Sequence, residues 1–274
     1  MKCRTLPILQ QINSISLLRR KIKEMNRHYD PKKIIRENMP LSFRVVLVEP
    51  LYSGNVGSVA RAMKNFGFNE LVLVNPCELD RSARLMSVHA YDIIENAKIE
   101  FSFTDALKGS SMVAGMTGIP GKTENEHMRI PAFSPRELKE KLSGKSGTTS
   151  LVFGREDDGL RNEELQMCDI IVNIPTSPEY PSMNLSHAVA VVLYELCDVE
   201  AGMTYLADHF DLELLYEHIG EVLSDIEYRE HKEDKTKLML QRMLGRAELT
   251  GREVQTLRGV LRRIQWKLNR VKGH

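Results

Sequence analysis

An α/β fold with a mostly parallel sheet, followed by a small helical extension, is what this chain predicts. Three observations carry that reading. From Leu41 to about residue 200, short apolar runs of strand character alternate with amphipathic helical stretches, the pattern of a sheet covered by crossover helices. After about Glu200 the strand signal ends and helical periodicity alone continues to the C-terminus. Three glycine- or proline-rich segments follow strands, which places them where open α/β sheets bind ligands.

The elements follow in order. Phe43 to Val48 (FRVVLV) is a strand of the fully buried type. Gly54 to Phe66 is a helix with Val56, Val59, Ala60, Met63 and Phe66 on one face and Gly67 as its stop. Leu71 to Val74 is the second strand, Ser82 to Ala97 is helical in one or two pieces, and Ser111 to Met116 is a strand leading into a long polar loop that ends near Ala132. Ser134-Pro135-Arg136-Glu137 is a capping box with proline at the first helical position, so it opens a short helix. Ser150 to Phe153, a short helix near Asn162 to Gln166, and Ile170 to Ile174 continue the alternation. The helix from Leu185 to Leu196 is apolar nearly all round (Leu185, Ala188, Val189, Val191, Val192, Leu193, Leu196) and needs burial on more than one side. Thr250-Gly-Arg-Glu253 is a second capping box. It opens a helix whose stripe Val254, Leu257, Leu261, Ile264, Leu268 is assigned to packing and whose arginines are left for solvent or phosphate.

Three divisions result. Residues 1–38 read as a basic N-terminal extension, 39–202 as the α/β domain, and 203–274 as a helical, basic C-terminal extension. The apolar stretch of the first segment is broken by Pro7, Gln10, Gln11 and Asn13, a poor secretory core. A poorly ordered tail, or translation that begins at Met39, is favoured there over a transit peptide. No run of 18 apolar residues exists, so no transmembrane helix is expected. The four cysteines lie far apart without a C-x-x-C pair, which fits reduced, mostly buried thiols in a cytoplasmic protein, and the eight histidines show no ligand spacing. No metal is expected.

Charge is distributed unevenly. The net charge is +1, but residues 1–38 carry ten Lys/Arg against three Asp/Glu, residues 235–274 carry eleven against two, and the middle carries 17 against 32. Basic ends on an acidic body suggest a polyanion held by the ends. The bland alternative is a solvated helix face.

The segments that carry chemistry are Glu49 to Arg61 (EPLYSGNVGSVAR), Phe153 to Leu160 (FGREDDGL), and Ile174 to Ser186 (IPTSPEYPSMNLS). The last holds three prolines in seven residues, so it is a stiff loop suited to presenting backbone groups and the short side chains that follow. The first could be a dinucleotide phosphate turn, but Gly54 and Gly57 are spaced G-x-x-G, Ser58-Val59-Ala60 lacks the third glycine, and the second strand ends in Asn75 where a ribose-binding acid is needed. A dinucleotide-dependent oxidoreductase is therefore disfavoured. So is a non-catalytic RNA-binding module, given Arg61, Glu156 and Asn184 together.

Taken jointly, the N-x-G-x-x-x-R element (Asn55, Gly57, Arg61), F-G-R-E-x-x-G-L, and I-P-x-x-P-E-Y-x-S-x-N-L resemble the SPOUT family of methyltransferases, specifically its TrmJ-type tRNA 2′-O-methyltransferases, over residues 43–200. The region with Arg242-Met-Leu-Gly-Arg246 and the capped helix after it is similar to the extension of that subgroup. The resemblance implies a deep trefoil knot, an S-adenosylmethionine site and a homodimer with the helix 185–200 and the Arg61 helix near the interface; core burial within one chain is the plainer account of that apolar helix. It implies cofactor contacts from Met116, Thr117, Gly118, Gly154, Ile174, Pro181, Ser182 and Met183, with Ile174, Met183 and Leu185 as apolar walls. Arg61 becomes the central catalytic residue, with Asn55, Glu156, Ser182 and Asn184 orienting it and the ribose. A guanidinium stays protonated at ordinary pH, so stabilising the developing alkoxide and holding phosphate suits Arg61 better than acting as base. Arg242, Arg246, Arg258, Arg262, Arg263 and Lys267 are the candidate RNA contacts. The implied reaction is ribose 2′-O-methylation in the tRNA anticodon loop at nucleotide 32, on cytidine or uridine; ribosomal RNA or another tRNA position is the alternative. Bland roles stay open: Asn55 or Asn184 as helix caps, Glu156 as a turn pin, and Arg155 paired with an acid rather than touching RNA. Asp157 and Asp158 have no functional account beyond bonding to amides of the turn.

Overall fold

Strands with both faces covered explain the continuous apolar runs at the centre of the sheet. The computed structural model describes residues 41–118, 131–202 and 204–272; the extension read over 1–38 and most of the expected polar loop lie outside them. The element order is β1 (Leu41–Val48), α1 (Ser53–Asn65), β2 (Glu70–Val74), α2 (Arg81–Ser87), α3 (Tyr91–Glu95), β3 (Lys98–Glu100), α4 (Phe103–Ala106), β4 (Met112–Thr117), β5 (Ala132–Phe133), α5 (Pro135–Leu142), β6 (Lys145–Phe153), α6 (Asn162–Gln166), β7 (Ile170–Asn173), α7 (Leu185–Leu196), β8 (Thr204–Tyr205), α8 (His209–Asp225), α9 (Glu230–Arg246) and α10 (Gly251–Lys272). The sheet runs β3-β2-β1-β6-β4-β7-β5, with β8 beside the start of β6, and every described pairing is parallel. Along β1 the side chains alternate: Val45 and Leu47 join a core with α1, α5 and α7, while Val46 and Val48 join a second core with α4 and α6.

The local signals hold where they have a mechanism. Ser134 and Glu137 form the reciprocal capping box of α5, and Thr250 and Glu253 do the same ahead of α10. Gly67, at φ +80, ends the chain segment after α1. The expected helix at 82–97 is two pieces, α2 and α3, separated by Val88 at φ +54. Strands β3, β5 and β8 have two or three residues each, too short for any periodicity to declare. The strand signal after residue 200 is thus short rather than absent. Helix α7 buries Leu185, Val189, Val192, Leu193 and Leu196 but leaves Val191 and Tyr194 exposed. Gly57 lets α1 approach α2: a Cβ there would sit 2.3 Å from the carbonyl oxygen of Ala83.

The helical segment is fastened to the sheet. Val254, Leu257 and Leu261 of α10 pack with Leu212, Leu215 and Tyr216 of α8, as the stripe predicts, whereas Ile264 stays 39% exposed. Gly245 brings α9 against the chain entering β7, where a Cβ would lie 2.8 Å from the carbonyl oxygen of Asp169. Glu248 accepts from Lys141 at 3.2 Å and Lys145 at 2.8 Å. His209 lies buried, 3.5 Å from the carboxylates of both Asp169 and Glu213. Burial opposes its charge, but the two carboxylates prevail and raise its pKa to about 10.

One expected RNA contact is corrected here. Arg242 is only 5% exposed, and it donates to the carbonyl oxygens of Cys168 and Leu165 at 2.7 Å each. It is a clamp between α9 and the end of α6, out of reach of a phosphate. Sequence periodicity on a charged helix favours solvent, and only the fold shows that this face of α9 meets the body. Arg242→Ala is expected to cost about 1–3 kcal/mol of stability by taking the donor from the buried Cys168 carbonyl and one of two donors from that of Leu165, while Arg262→Ala, on an exposed face, should change it by less than about 0.5 kcal/mol; urea unfolding of both variants checks this.

Candidate active site

Three chain segments meet at the C-terminal ends of β1, β6 and β7. The tightest is the turn after β6. Arg155 and Gly159 exchange backbone hydrogen bonds of 3.1 and 3.0 Å, and Gly159 takes φ +68. Gly154 must lack a side chain, because a Cβ would fall 2.1 Å from the carbonyl carbon of Gly159. Arg155 is buried beneath this turn. Its guanidinium donates to Glu49 at 2.8 Å and, in a two-pronged contact, to Glu164 at 2.8 and 3.0 Å. The Glu164 bonds raise the Arg155 pKa against the cost of burial, and the Arg155 bond lowers that of Glu49. Of the two alternatives for Arg155, pairing with acids is the one observed. Glu49 itself stands at φ +46, directly after β1; its place ahead of the Pro50 turn was the only hint of this role.

With Arg155 turned inward, Glu156 turns toward the segment after β1. Its carboxylate accepts from the Leu51 amide at 2.9 Å, the Tyr52 amide at 3.4 Å and Asn55 Nδ2 at 2.8 Å. Asn55 Oδ1 in turn accepts from Asn184 Nδ2 at 3.2 Å. Asn184 Oδ1 accepts from the amide and hydroxyl of Ser186, capping α7. So Asn184 is both cap and link. Asn55 is not a cap: that position belongs to Tyr52, and Asn55 lies in the first turn of α1. Asp157 accepts from the Asp158 amide at 2.7 Å, the local turn bond foreseen for this pair.

Two hollows flank this chain of bonds. A small, half-open pocket of about 170 Å³ is lined by the ends of β4 (Met116, Thr117, Gly118), β6 (Gly154 to Leu160) and the proline loop (Ile174, Pro181, Ser182, Met183), with Leu185. All eight residues expected to hold a cofactor line it. The loop is internally braced by Thr176 Oγ1 donating to the Pro181 carbonyl, and Asn173 Nδ2 ties β7 to the Thr117 carbonyl at 2.8 Å. Beside it lies an open cleft of about 880 Å³ bordered by Tyr52, Asn55, Ser58, Tyr180, Asn184 and His187, among others. Glu156, Thr176, Ser182 and Met183 border both hollows. Tyr52, Ser58, Thr176, Tyr180 and His187 went unmarked as site residues in the sequence; single polar or aromatic residues in a loop or in the first turns of a helix carry no pattern to find them by. Arg61 is brought to neither hollow. It is exposed on α1, one turn beyond Ser58.

A parallel α/β protein with a small pocket at its strand ends, opening beside a broad cleft, is a class suited to bringing a small ligand to a large one. The comparisons specify that class. The SpoU rRNA Methylase family model matches residues 42–194, and the model of the tRNA methyltransferase TrmJ C-terminal domain matches residues 210–273. The tRNA (cytidine-2′-O-)-methyltransferase TrmJ of Methanocaldococcus jannaschii is 43% identical over 227 residues, 80% of this chain and 98% of that protein. The tRNA (cytidine/uridine-2′-O-)-methyltransferase TrmJ of Salmonella typhimurium is 38% identical, covering 82% and 96%. The crystal structure of TrmJ from Z. mobilis superimposes with a TM-score of 0.67 at 26% identity, over 81% of this chain and 98% of that one. The chain belongs to the SpoU methylase family and, within it, to the TrmJ branch.

The hydrogen-bonded link has a measurable cost of removal. Glu156→Ala is expected to lower unfolding free energy by about 1–2 kcal/mol, since its bonds are partly exposed and water replaces some of them; Asp158→Ala, on the exposed side of the turn, should leave it within about 0.5 kcal/mol. Denaturant titration compares the two, and equal stabilities would remove the bracing role of Glu156.

Proposed function

We propose that the protein is a cytoplasmic, homodimeric, S-adenosylmethionine-dependent tRNA 2′-O-methyltransferase acting on the anticodon loop at nucleotide 32. The observation that carries this is the bond chain from Glu156 through Asn55 to Asn184, set between a small pocket and a broad open cleft. The pocket suits the cofactor: Gly118 leaves a backbone edge open, and Ile174, Met183 and Leu185 give apolar walls for an adenine. When bound, S-adenosylmethionine supplies an activated methyl group.

The chain's own residues do the rest. Ser182, bordering both hollows, meets the ribose where they join. Asn184 and Asn55 are held in one orientation by bonds at both ends of their amides, so they position rather than search. Glu156 fixes the two sides of the boundary relative to each other and acts as a positioning residue. Arg61, exposed and outside both hollows of its own chain, meets substrate at a subunit boundary formed around α1 and α7 in this proposal; the exposed Val191 and Tyr194 on α7 support such a contact. There its fixed charge holds phosphate and stabilises the developing alkoxide. The exposed Arg262, Arg263 and Lys267, with the half-buried Arg246 and Arg258, give α9 and α10 a basic surface for the tRNA.

The test is methyl transfer from labelled S-adenosylmethionine to an unmodified tRNA transcript, with the product nucleoside mapped by mass spectrometry. A 2′-O-methyl nucleoside at position 32 is expected, cytidine or uridine; label on ribosomal RNA or at another tRNA position overturns the target. Arg262→Ala combined with Lys267→Ala should weaken tRNA binding and flatten its dependence on log salt by about 2, near one unit for each lost phosphate contact. Cofactor affinity measured by calorimetry should not change.

A further inference from the structure

The chain contains a single tryptophan, and it stands on the wrong face of α10 for packing. Val254, Leu257 and Leu261 hold α10 against α8. Trp266 is offset from that stripe by about half a helical turn and remains 44% exposed. Arg263 and Arg270 sit at i−3 and i+4 from it, on the same face. The Arg263 guanidinium carbon lies 4.2 Å from the indole centroid and that of Arg270 lies 4.8 Å from it. Such contacts hold the two planar cations over the indole ring in advance of any ligand.

We propose that this Arg263–Trp266–Arg270 column is a stacking platform for an unpaired nucleobase of the RNA. The inference rests on the reading of the protein as a tRNA-binding enzyme and adds to it a contact of a different kind. Phosphate contacts need only charge. A flat indole flanked by guanidinium planes offers what an unstacked base seeks, since both aromatic rings and guanidinium groups stack on bases. A paired stem keeps its bases inside the helix and has none to offer, so the occupant is a base from a loop or an end. Charge favours RNA over a second copy of this chain: residues 235–274 carry eleven Lys/Arg against two Asp/Glu, and bringing two such faces together sets like charges opposite one another.

Because Trp266 is the only tryptophan, its fluorescence reports on this face alone. Full-length protein is titrated with unmodified tRNA transcript and, separately, with an RNA duplex lacking loops. Saturable quenching by tRNA and little by the duplex is expected. Trp266→Leu should weaken tRNA binding about tenfold, within the range of one lost base–aromatic stack, with an unchanged salt slope and unchanged cofactor affinity; Trp266→Phe should recover most of the loss. Circular dichroism confirms that the variants fold. If Trp266→Leu binds tRNA as the parent does, the platform is overturned while the tRNA reading stands. If the parent binds no tRNA, both fall. Quenching without RNA that rises with protein concentration, with sedimentation showing assembly beyond a dimer that Trp266→Leu abolishes, gives the face to a second copy and overturns the proposal.

Discussion

The strand ends are organised by one buried cation. Arg155, with its side chain 4% exposed, satisfies Glu164 with two bonds, Glu49 with one, and the Gly159 carbonyl with another. A buried guanidinium is costly unless paired and fully hydrogen-bonded, and here two carboxylates from different elements meet that demand. Glu49 comes from the end of β1 and Glu164 from α6, so the ion cluster sets the β6 turn relative to both. Glu49 takes a left-handed conformation to reach it, a local strain held by the surrounding bonds.

From that anchor the site follows. Arg155 is buried under the turn while the next residue, Glu156, faces the segment after β1. Its carboxylate then joins that segment to Asn55, and Asn55 joins the proline loop through Asn184. Three loops distant in sequence become one wall with a small pocket on one side and a broad open cleft on the other. Ser182 and Met183, at the end of a loop stiffened by Pro175, Pro178 and Pro181, border both. Positioning of this kind suits a transfer reaction, in which alignment of the reacting groups supplies much of the acceleration.

Much of this was legible in the sequence, for reasons that can be named. The caps at Ser134 and Thr250 are local chemistry and do not depend on the fold. The apolar runs of β1, β6 and β7 show because a strand covered on both faces has no polar alternation to blur it. The residues that line the smaller pocket were singled out through the joint motif resemblance, not through any property of theirs one by one. What the sequence hid was tertiary. Nothing distinguishes Arg242 from Arg246 until α9 is seen against α6, and the partnership of Glu49 with Arg155 spans more than a hundred residues. Asn55 looks like a helix cap by type and position, yet its amide is used across the site. The outward face of Trp266 follows from helical spacing, but an apolar residue on a helix invites assignment to the core.

The central claim is that Asn55, Glu156 and Asn184 act as one positioning unit between pocket and cleft. A double-mutant cycle on the rate of methyl transfer to tRNA, using Asn55→Ala, Glu156→Ala and their combination, tests it most directly. Residues acting as a unit are strongly non-additive. The double variant should therefore be scarcely slower than the worse single variant, with cofactor affinity little changed in all three. Losses that multiply, as for independent groups, would contradict the account.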